Sequence, residues 1–583
     1  MEQAIVGADV HHLLAVLLGA VVQMIHQYRA ASASNPANAL AALDFSNAQY
    51  GHTYFVDATP GAGDLYYNGG WHSWLVGGLG PGGNLAVSFT GAPSGTSATL
   101  TSPFTGTTGT YGLTFSDTES RAATFTNNST SVSWSGSLTG SPTTDAVVTV
   151  GAIYALDVTD PSPASFTESN AANLVKGEWT SATIACANVA ACGTNLGNTY
   201  GTPQIRRLHD GKWGIIFGNG YGSATGDAGI FVGVIDPAAG TPTFYYLSTA
   251  TGSTGSPNGI AYTTPADLDG DHMTDYVYAG DLQGNLWRFD LTSSSEANWV
   301  VTPGPLFKTP AGQPITTAPV VASGAASPGL QQQLMILFGT GQKTPVTNTS
   351  AGTYAAGTQS LYGVWDWNLT AWNSVAVAQY AALKPASTGL SGNGTLSPAN
   401  LQAQTVTINT STQNRDIATN ATICWAGQST CSGSAAKYGW YLNLPGNLEQ
   451  ILFNPQLVAQ ALTVNSVVPA VNSPTSCASP IDSGFTYVLS ALTGGAFNEV
   501  FLPPSEAAAG LGTNPAYADT QAIGIQTNAT GSSFITSNGG GTAFLVYETN
   551  RVASGSSNIQ GGALGLNIPP NTIGRRISWI ERR

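Results

Sequence analysis

Charge is scarce in this chain: 8% of its 583 residues are charged and only 17 are Lys or Arg, against 31 Asp and Glu. Nucleic-acid binding needs clustered cations to displace counterions from phosphates, so a net charge of −14 argues against that class. Cysteine is also sparse, with five residues: a close pair Cys186/Cys192, a close pair Cys424/Cys431, and Cys477 alone. These spacings suit disulfides that close short loops in an oxidising compartment, with buried free thiols as the alternative. The CxxC-type spacing and partner His of a zinc site are missing. The seven His follow no HExxH or similar spacing, and no GxSxG elbow, P-loop or CxxCH motif occurs, so no catalytic set is read and a non-enzyme is expected.

Long apolar runs are missing too. The longest near the start, Leu13–Val22, has ten residues and is too short for a bilayer span. Small residues around Ala31-Ser32-Ala33 follow it, while Glu2 stands where an export signal has positive charge. Residues 1–36 are therefore read as a signal-like or truncated start, and residues 37–583 as the body of the protein.

What is abundant is turn chemistry: 70 Gly and 32 Pro among many Ser, Thr and Ala. A Gly-rich turn after an apolar strand recurs at Leu75–Gly80, Ile216–Tyr221, Tyr278–Gly284 and Leu337–Gly341. Each is followed by an aromatic strand ending in or near Asp: Ile153–Asp157, Ile230–Asp236, Leu286–Asp290 and Leu361–Asp366, with a weaker copy at Gly484–Ser490. Each unit has room for a four-stranded antiparallel sheet, and radially stacked sheets make a β-propeller. The expected fold is thus all-β, a β-propeller with seven blades as the working count, and a series of β-sandwiches as the alternative. Residues 85–150, alternating as in Tyr111-Gly-Leu-Thr-Phe115, are read as inserted β-structure, and residues 385–435 as a long surface insertion.

Amid this uncharged background, Asp267-Leu-Asp269-Gly-Asp271-His-Met-Thr-Asp275 sets carboxylates at positions 1, 3, 5 and 9 of one loop. Alternating Asp side chains plus the Met273 carbonyl offer the oxygen-rich shell that Ca2+ takes, whereas without a cation the carboxylates repel. The predicted ligands are Asp267, Asp269, Asp271, Met273 and Asp275. His272 stands where an EF-hand loop has its sharp-turn Gly, and Tyr278 where it has a bidentate Glu, which predicts a weak, extracellular type of site. The flanks read as strands, so the loop is expected between strands and not between helices.

The run from Asp267 through Asp290 closely resembles the signature of the PilY family, called PilC in some bacteria: type IV pilus tip-associated adhesins and biogenesis factors. Further matches follow in order at Tyr50–Asp57, Trp71 with Leu75–Gly80, Ala155–Pro161, Gly211–Tyr221, Phe338–Gly341, Gly439–Leu444 and Gly574–Trp579. The resemblance implies a C-terminal propeller at the cell surface or pilus tip, with calcium in one blade. It also implies partnership with minor pilins or a host receptor, and a role in pilus assembly, twitching and adhesion by opposing retraction. Two departures stand out: His272 replaces the family's usual Gly, and the large N-terminal region of family members has no counterpart in these residues. The recurrent Trp213, Trp287, Trp365 and Trp440 leave a quinoprotein-like oxidoreductase as the enzyme alternative, although repeated aromatics are also what radial packing needs. A secreted glycan-binding propeller is the remaining alternative.

Overall fold

The computed structural model describes residues 56–162, 165, 170–325, 331–344, 353–384, 390, 394–410, 414–458, 460–470, 482–497, 522–529 and 531–532, and the backbone of four strands between 534 and 576. The N-terminal segment 1–36, Cys477 and Trp579 lie outside these residues. Among the described residues the chain is all-β, with helices of only a few residues. The described residues divide into two compact units: one holds those up to Thr263 with Ser293–Trp299, the other Thr264–Thr292, Val300–Thr344 and those from Thr353 onward.

In the first unit two four-stranded sheets form. One orders Gly61–Tyr67, Gly70–Gly78, Ala152–Asp157 and Val175–Thr180; the other is a meander of Gln204–Arg207, Trp213–Gly218, Gly229–Ile235 and Pro242–Ser248. The second and third strands of the first sheet pair directly although 73 residues separate Gly78 from Ala152, and between them Asn84–Thr149 folds into a six-stranded sheet. That sheet has its own apolar cluster around Phe89, Tyr111, Phe125 and Trp134, so alternation there reports a half-buried face.

The repeated sequence motifs turn out to be the two central strands of each sheet. Strand-end Gly78 pairs with Ile153, Gly218 with Ile230, Gly280 with Leu286 and Gly339 with Leu361. Gly is required there by close approach: a Cβ on Gly280 would sit 2.1 Å from Cγ2 of Ile315, and one on Gly339 2.4 Å from Cγ1 of Ile451. Ile315 lies just before the strand Val320–Gly324 and Ile451 in the strand Gln450–Ile451, so the bare strand ends let later chain segments press close against them.

The second unit departs from the expected row of separate sheets. Residues 402–408 and 415–419, placed by the sequence in a surface insertion, are paired strands, and Gln402–Gln404 runs parallel to Trp440–Leu442. Through them the strand set Val320–Gly324, Gln333–Gly339, Ser360–Trp365 and Gly439–Asn443 joins Ala461–Val467, Phe485–Ser490 and Ala522–Gln526 in one continuous path. The physical reason is edge satisfaction: an unpaired strand edge exposes donors and acceptors, and the insertion supplies partners. Gly574–Arg576 pairs antiparallel with Val320–Gly324. Trp287, Trp365 and Trp440 are buried in these sheets, while Trp213 is half-buried. Both close cysteine pairs are disulfides, Cys186–Cys192 and Cys424–Cys431.

Candidate metal centre

The acidic loop joins the strands Thr263–Ala266 and Tyr276–Gly280. Its ends are clamped by the Asp275 N–H donating to the Ala266 carbonyl at 2.9 Å, and the Leu291 N–H donates to the Asp275 carbonyl at 2.8 Å. Within the loop the backbone turns through two left-handed residues, Gly270 at φ +85° and His272 at φ +68°. The second is the position where an EF-hand loop has Gly. His, like Asn and Asp, enters this region more readily than β-branched residues, at a cost of about 1–2 kcal/mol.

Turning this way points several N–H groups at carboxylates. Asp267 accepts from Gly270 N–H on one oxygen at 2.6 Å and from His272 N–H on the other at 2.9 Å. Asp275, fully buried, accepts from Leu268 N–H at 2.6 Å. Ligand oxygens of Asp267, Asp269 and Asp275 come within 4.8 Å of one another, the sole such group of His, Cys, Asp or Glu among the described residues. Asp271 does not join that group; its Oδ1 accepts from Met273 N–H at 2.8 Å, in an exposed turn. An all-oxygen set around one point fits a hard dication such as Ca2+, since softer metals favour N and S donors.

Packing behind the loop was not legible in the sequence. Tyr380 O–H donates to the Leu268 carbonyl at 2.6 Å, and Trp372 lies against Tyr276 with ring centroids 6.0 Å apart, which ties residues 370–380 to the loop. One strand further in, Arg288 donates to both oxygens of Asp366 at 2.7 Å, and Tyr278 O–H donates to the same carboxylate at 2.7 Å. Burial works against the Arg288 charge, yet the Asp366 carboxylate more than restores it, so its pKa is raised; burial, then Asp366, pushes the Tyr278 hydroxyl well up. A signal existed: counting back from the strand-end Asp, Arg288 occupies the position held by Ala155, Val234 and Val364 in the other repeats. A second buried pair, Arg415 with Glu449 at 2.9 Å, receives Tyr487 O–H and Ser466 O–H on the same carboxylate. His72 is taken up by Asp157 at 3.1 Å and by stacking on Tyr67, and so plays no part in the acidic cluster.

Residues 146–384, which hold the acidic loop, match the family model described as the PilY1 beta-propeller domain. The chain is 26% identical over 479 residues to a type IV pilus biogenesis factor PilY1 of Pseudomonas aeruginosa, covering 76% of this chain and 32% of that protein. It is 32% identical over 324 residues to PilY1 from another strain, covering 52% of this chain and 26% of the relative. A PilY1 homolog of Xylella fastidiosa is 26% identical over 510 residues, covering 82% of this chain and 25% of that one. The chain therefore spans about a third or less of the relatives it matches. The crystal structure of the P. aeruginosa PilY1 C-terminal domain superposes with a TM-score of 0.52 at 22% identity, covering 88% of this chain and 84% of that one, which fixes the fold as that of a β-propeller. Together with the order of motifs along the chain, these matches make residues 146–384 similar to the PilY1 beta-propeller domain and a longer stretch similar to PilY1 proteins.

Proposed function

We propose that this chain is the calcium-binding propeller of a type IV pilus biogenesis protein. On this reading it is exported to the cell surface, meets minor pilins at the pilus tip, and supports assembly, twitching and adhesion by opposing retraction. The role is mechanical and interfacial, without catalysis. The observation that carries the reading is the convergence of Asp267, Asp269 and Asp275 within 4.8 Å, inside the segment matched by the PilY1 propeller model. These carboxylates would hold Ca2+, with Asp271 and the Met273 carbonyl as its further oxygens. Bound there, the ion supplies positive charge against the mutual repulsion of the carboxylates.

The chain's own contacts carry loop order outward. Asp275 leads directly into the central strand Tyr276–Gly280, and Leu268 is held by Tyr380. An ion changes such a loop only through its differential affinity for the ordered and disordered states. The test is genetic: deletion should reduce surface pili and twitching, less so where retraction is disabled. The Asp267→Ala/Asp271→Ala variant should be expressed, folded and defective in the same direction. Normal piliation in a deletion strain without a paralogous gene would sink the reading.

One observation favours a second reading, glycan binding. Tyr66 and Trp71 are 46% and 55% exposed, and Trp71 meets Trp213 edge-on at 5.8 Å, so an aromatic row faces solvent on the first unit. Glycan arrays that respond while minor-pilin pull-downs stay silent would favour it. For the oxidoreductase alternative no comparable support exists among the described tryptophans, since Trp287, Trp365 and Trp440 are consumed by core packing. A quinone absorbance in purified protein would revive it.

A further inference from the structure

Leu268 is the hub of the acidic loop. In the chain it lies between Asp267 and Asp269, two of the three converging carboxylates. Its N–H donates to Oδ2 of the third, Asp275, at 2.6 Å, and its side chain is fully buried. A shift of the Leu268 backbone therefore displaces all three groups. One side chain from elsewhere in the same unit fixes that backbone: the Tyr380 O–H donates to the Leu268 carbonyl at 2.6 Å, from a residue that is 2% exposed. Tyr380 is in turn held at both backbone groups by Asn373, whose Nδ2 donates to the Tyr380 carbonyl at 2.6 Å and whose Oδ1 accepts from the Tyr380 N–H at 2.9 Å. Trp372 donates from Nε1 to the Ala378 carbonyl at 2.9 Å and sets its ring against Tyr276, the residue after Asp275. Residues 370–380 thus brace the acidic loop near both of its ends.

We propose that Tyr380 is a positioning residue for the calcium site: it presets the carboxylates through Leu268, and calcium in turn orders residues 370–380. The inference rests on the calcium reading given above and adds to it a residue that acts on the ligands. When the competent arrangement is only a fraction of the population, the apparent dissociation constant rises by the reciprocal of that fraction, so a brace that holds the arrangement raises affinity. Losing an outer hydrogen bond of this kind typically weakens metal binding about 10–100-fold. Linkage makes the coupling reciprocal: whatever the Tyr380–Leu268 contact adds to calcium affinity, calcium returns to that contact. Core packing alone predicts something else, a less stable Tyr380→Phe variant that binds calcium unchanged.

The test titrates calcium into the whole chain by isothermal calorimetry, for the unaltered protein, Tyr380→Phe and Ser374→Ala. Ser374 is the control, since its Oγ donates within the same segment, to the Ala371 carbonyl at 2.6 Å. Tyr380→Phe should raise the dissociation constant at least about tenfold, and Ser374→Ala should leave it unchanged. Hydrogen exchange gives the reciprocal readout at the Ala376 and Tyr380 amides, which donate to the Trp372 carbonyl and to Asn373 Oδ1, each at 2.9 Å. Val377 between them is 98% exposed, so exchange here reports local opening of a surface segment. Calcium should slow it in the unaltered protein and much less in Tyr380→Phe. No calcium uptake by the unaltered protein removes the calcium reading and this proposal with it. Uptake with an equal dissociation constant in Tyr380→Phe, or an equal weakening by Ser374→Ala, overturns the proposal alone and leaves the site standing. If Tyr380→Phe fails to fold, exchange in the unaltered protein decides: without calcium-dependent protection at Ala376 and Tyr380 the proposal falls.

Discussion

Replacing Asp269 with Asn should raise the stability of the calcium-free protein while removing its response to calcium. Asn keeps the shape and an acceptor for the Asp271 N–H, now at 3.3 Å, and deletes one charge. The carboxylates of Asp267, Asp269 and Asp275 approach within 4.8 Å. At that separation two unit charges repel by about 0.9 kcal/mol in bulk water and about 3.5 kcal/mol at an effective dielectric of 20. Neutralising Asp269 removes two of the three pairs, so the gain without calcium lies between about 2 and 7 kcal/mol, nearer the lower value because the loop borders solvent and salt screens it. For a cooperative unit of about 300 residues, at about 2.1 cal/mol/K per residue, 2 kcal/mol moves the melting temperature by about 3 °C. In the unaltered protein, calcium at about a hundredfold over its dissociation constant adds about 2.7 kcal/mol, or about 4 °C. The curves therefore cross: the variant melts higher in chelator and the unaltered protein gains with calcium. Differential scanning calorimetry in chelator and in calcium up to about 10 mM, beyond the weak extracellular range, reads both. A variant that melts lower in chelator would show that the cluster is a hydrogen-bonded turn. An unaltered protein indifferent to calcium would show that there is no site.

Gly280→Val should destabilise the second unit by about 1–3 kcal/mol in urea titration, because its Cβ would meet Ile315 at 2.1 Å and the segment before Val320–Gly324 would have to move. Glu178, whose carboxyl burial pushes up to about 6, holds its proton more tightly folded than unfolded. Its contribution is therefore present below the ordinary Glu range and lost as pH rises through about 6, on the order of 1 kcal/mol after solvent screening; Glu178→Gln should flatten that part of the stability profile, and an unchanged profile would dismiss the argument. Truncation before Gly574 should lower the melting temperature, since Gly574–Arg576 covers the edge of Val320–Gly324, and an unchanged melt would show that the terminal strand contributes nothing.

Local pattern made much of this protein legible. Gly-rich strand ends and aromatic strands closing on Asp were read as repeats, and they are the paired central strands of successive sheets, because close packing and pleat leave a period and a residue type behind. The acidic loop stood out for the same reason: its oxygens lie within nine residues, on a background almost free of charge. The two close cysteine pairs bond across loops short enough for spacing to suggest them.

Only the tertiary structure brought Asp267, Asp269 and Asp275 within 4.8 Å of one another and left Asp271 outside that group, because that depends on the left-handed turns at Gly270 and His272 and not on spacing. It also decided that Gln402–Ile408 and Arg415–Thr419 satisfy a strand edge, that Tyr380 reaches back to Leu268, and that Arg288 meets Asp366 across 78 residues. Such partners carry no periodicity. Each is selected by the desolvation that burial imposes on a polar group, a cost that arises only once the sheets have brought distant segments together.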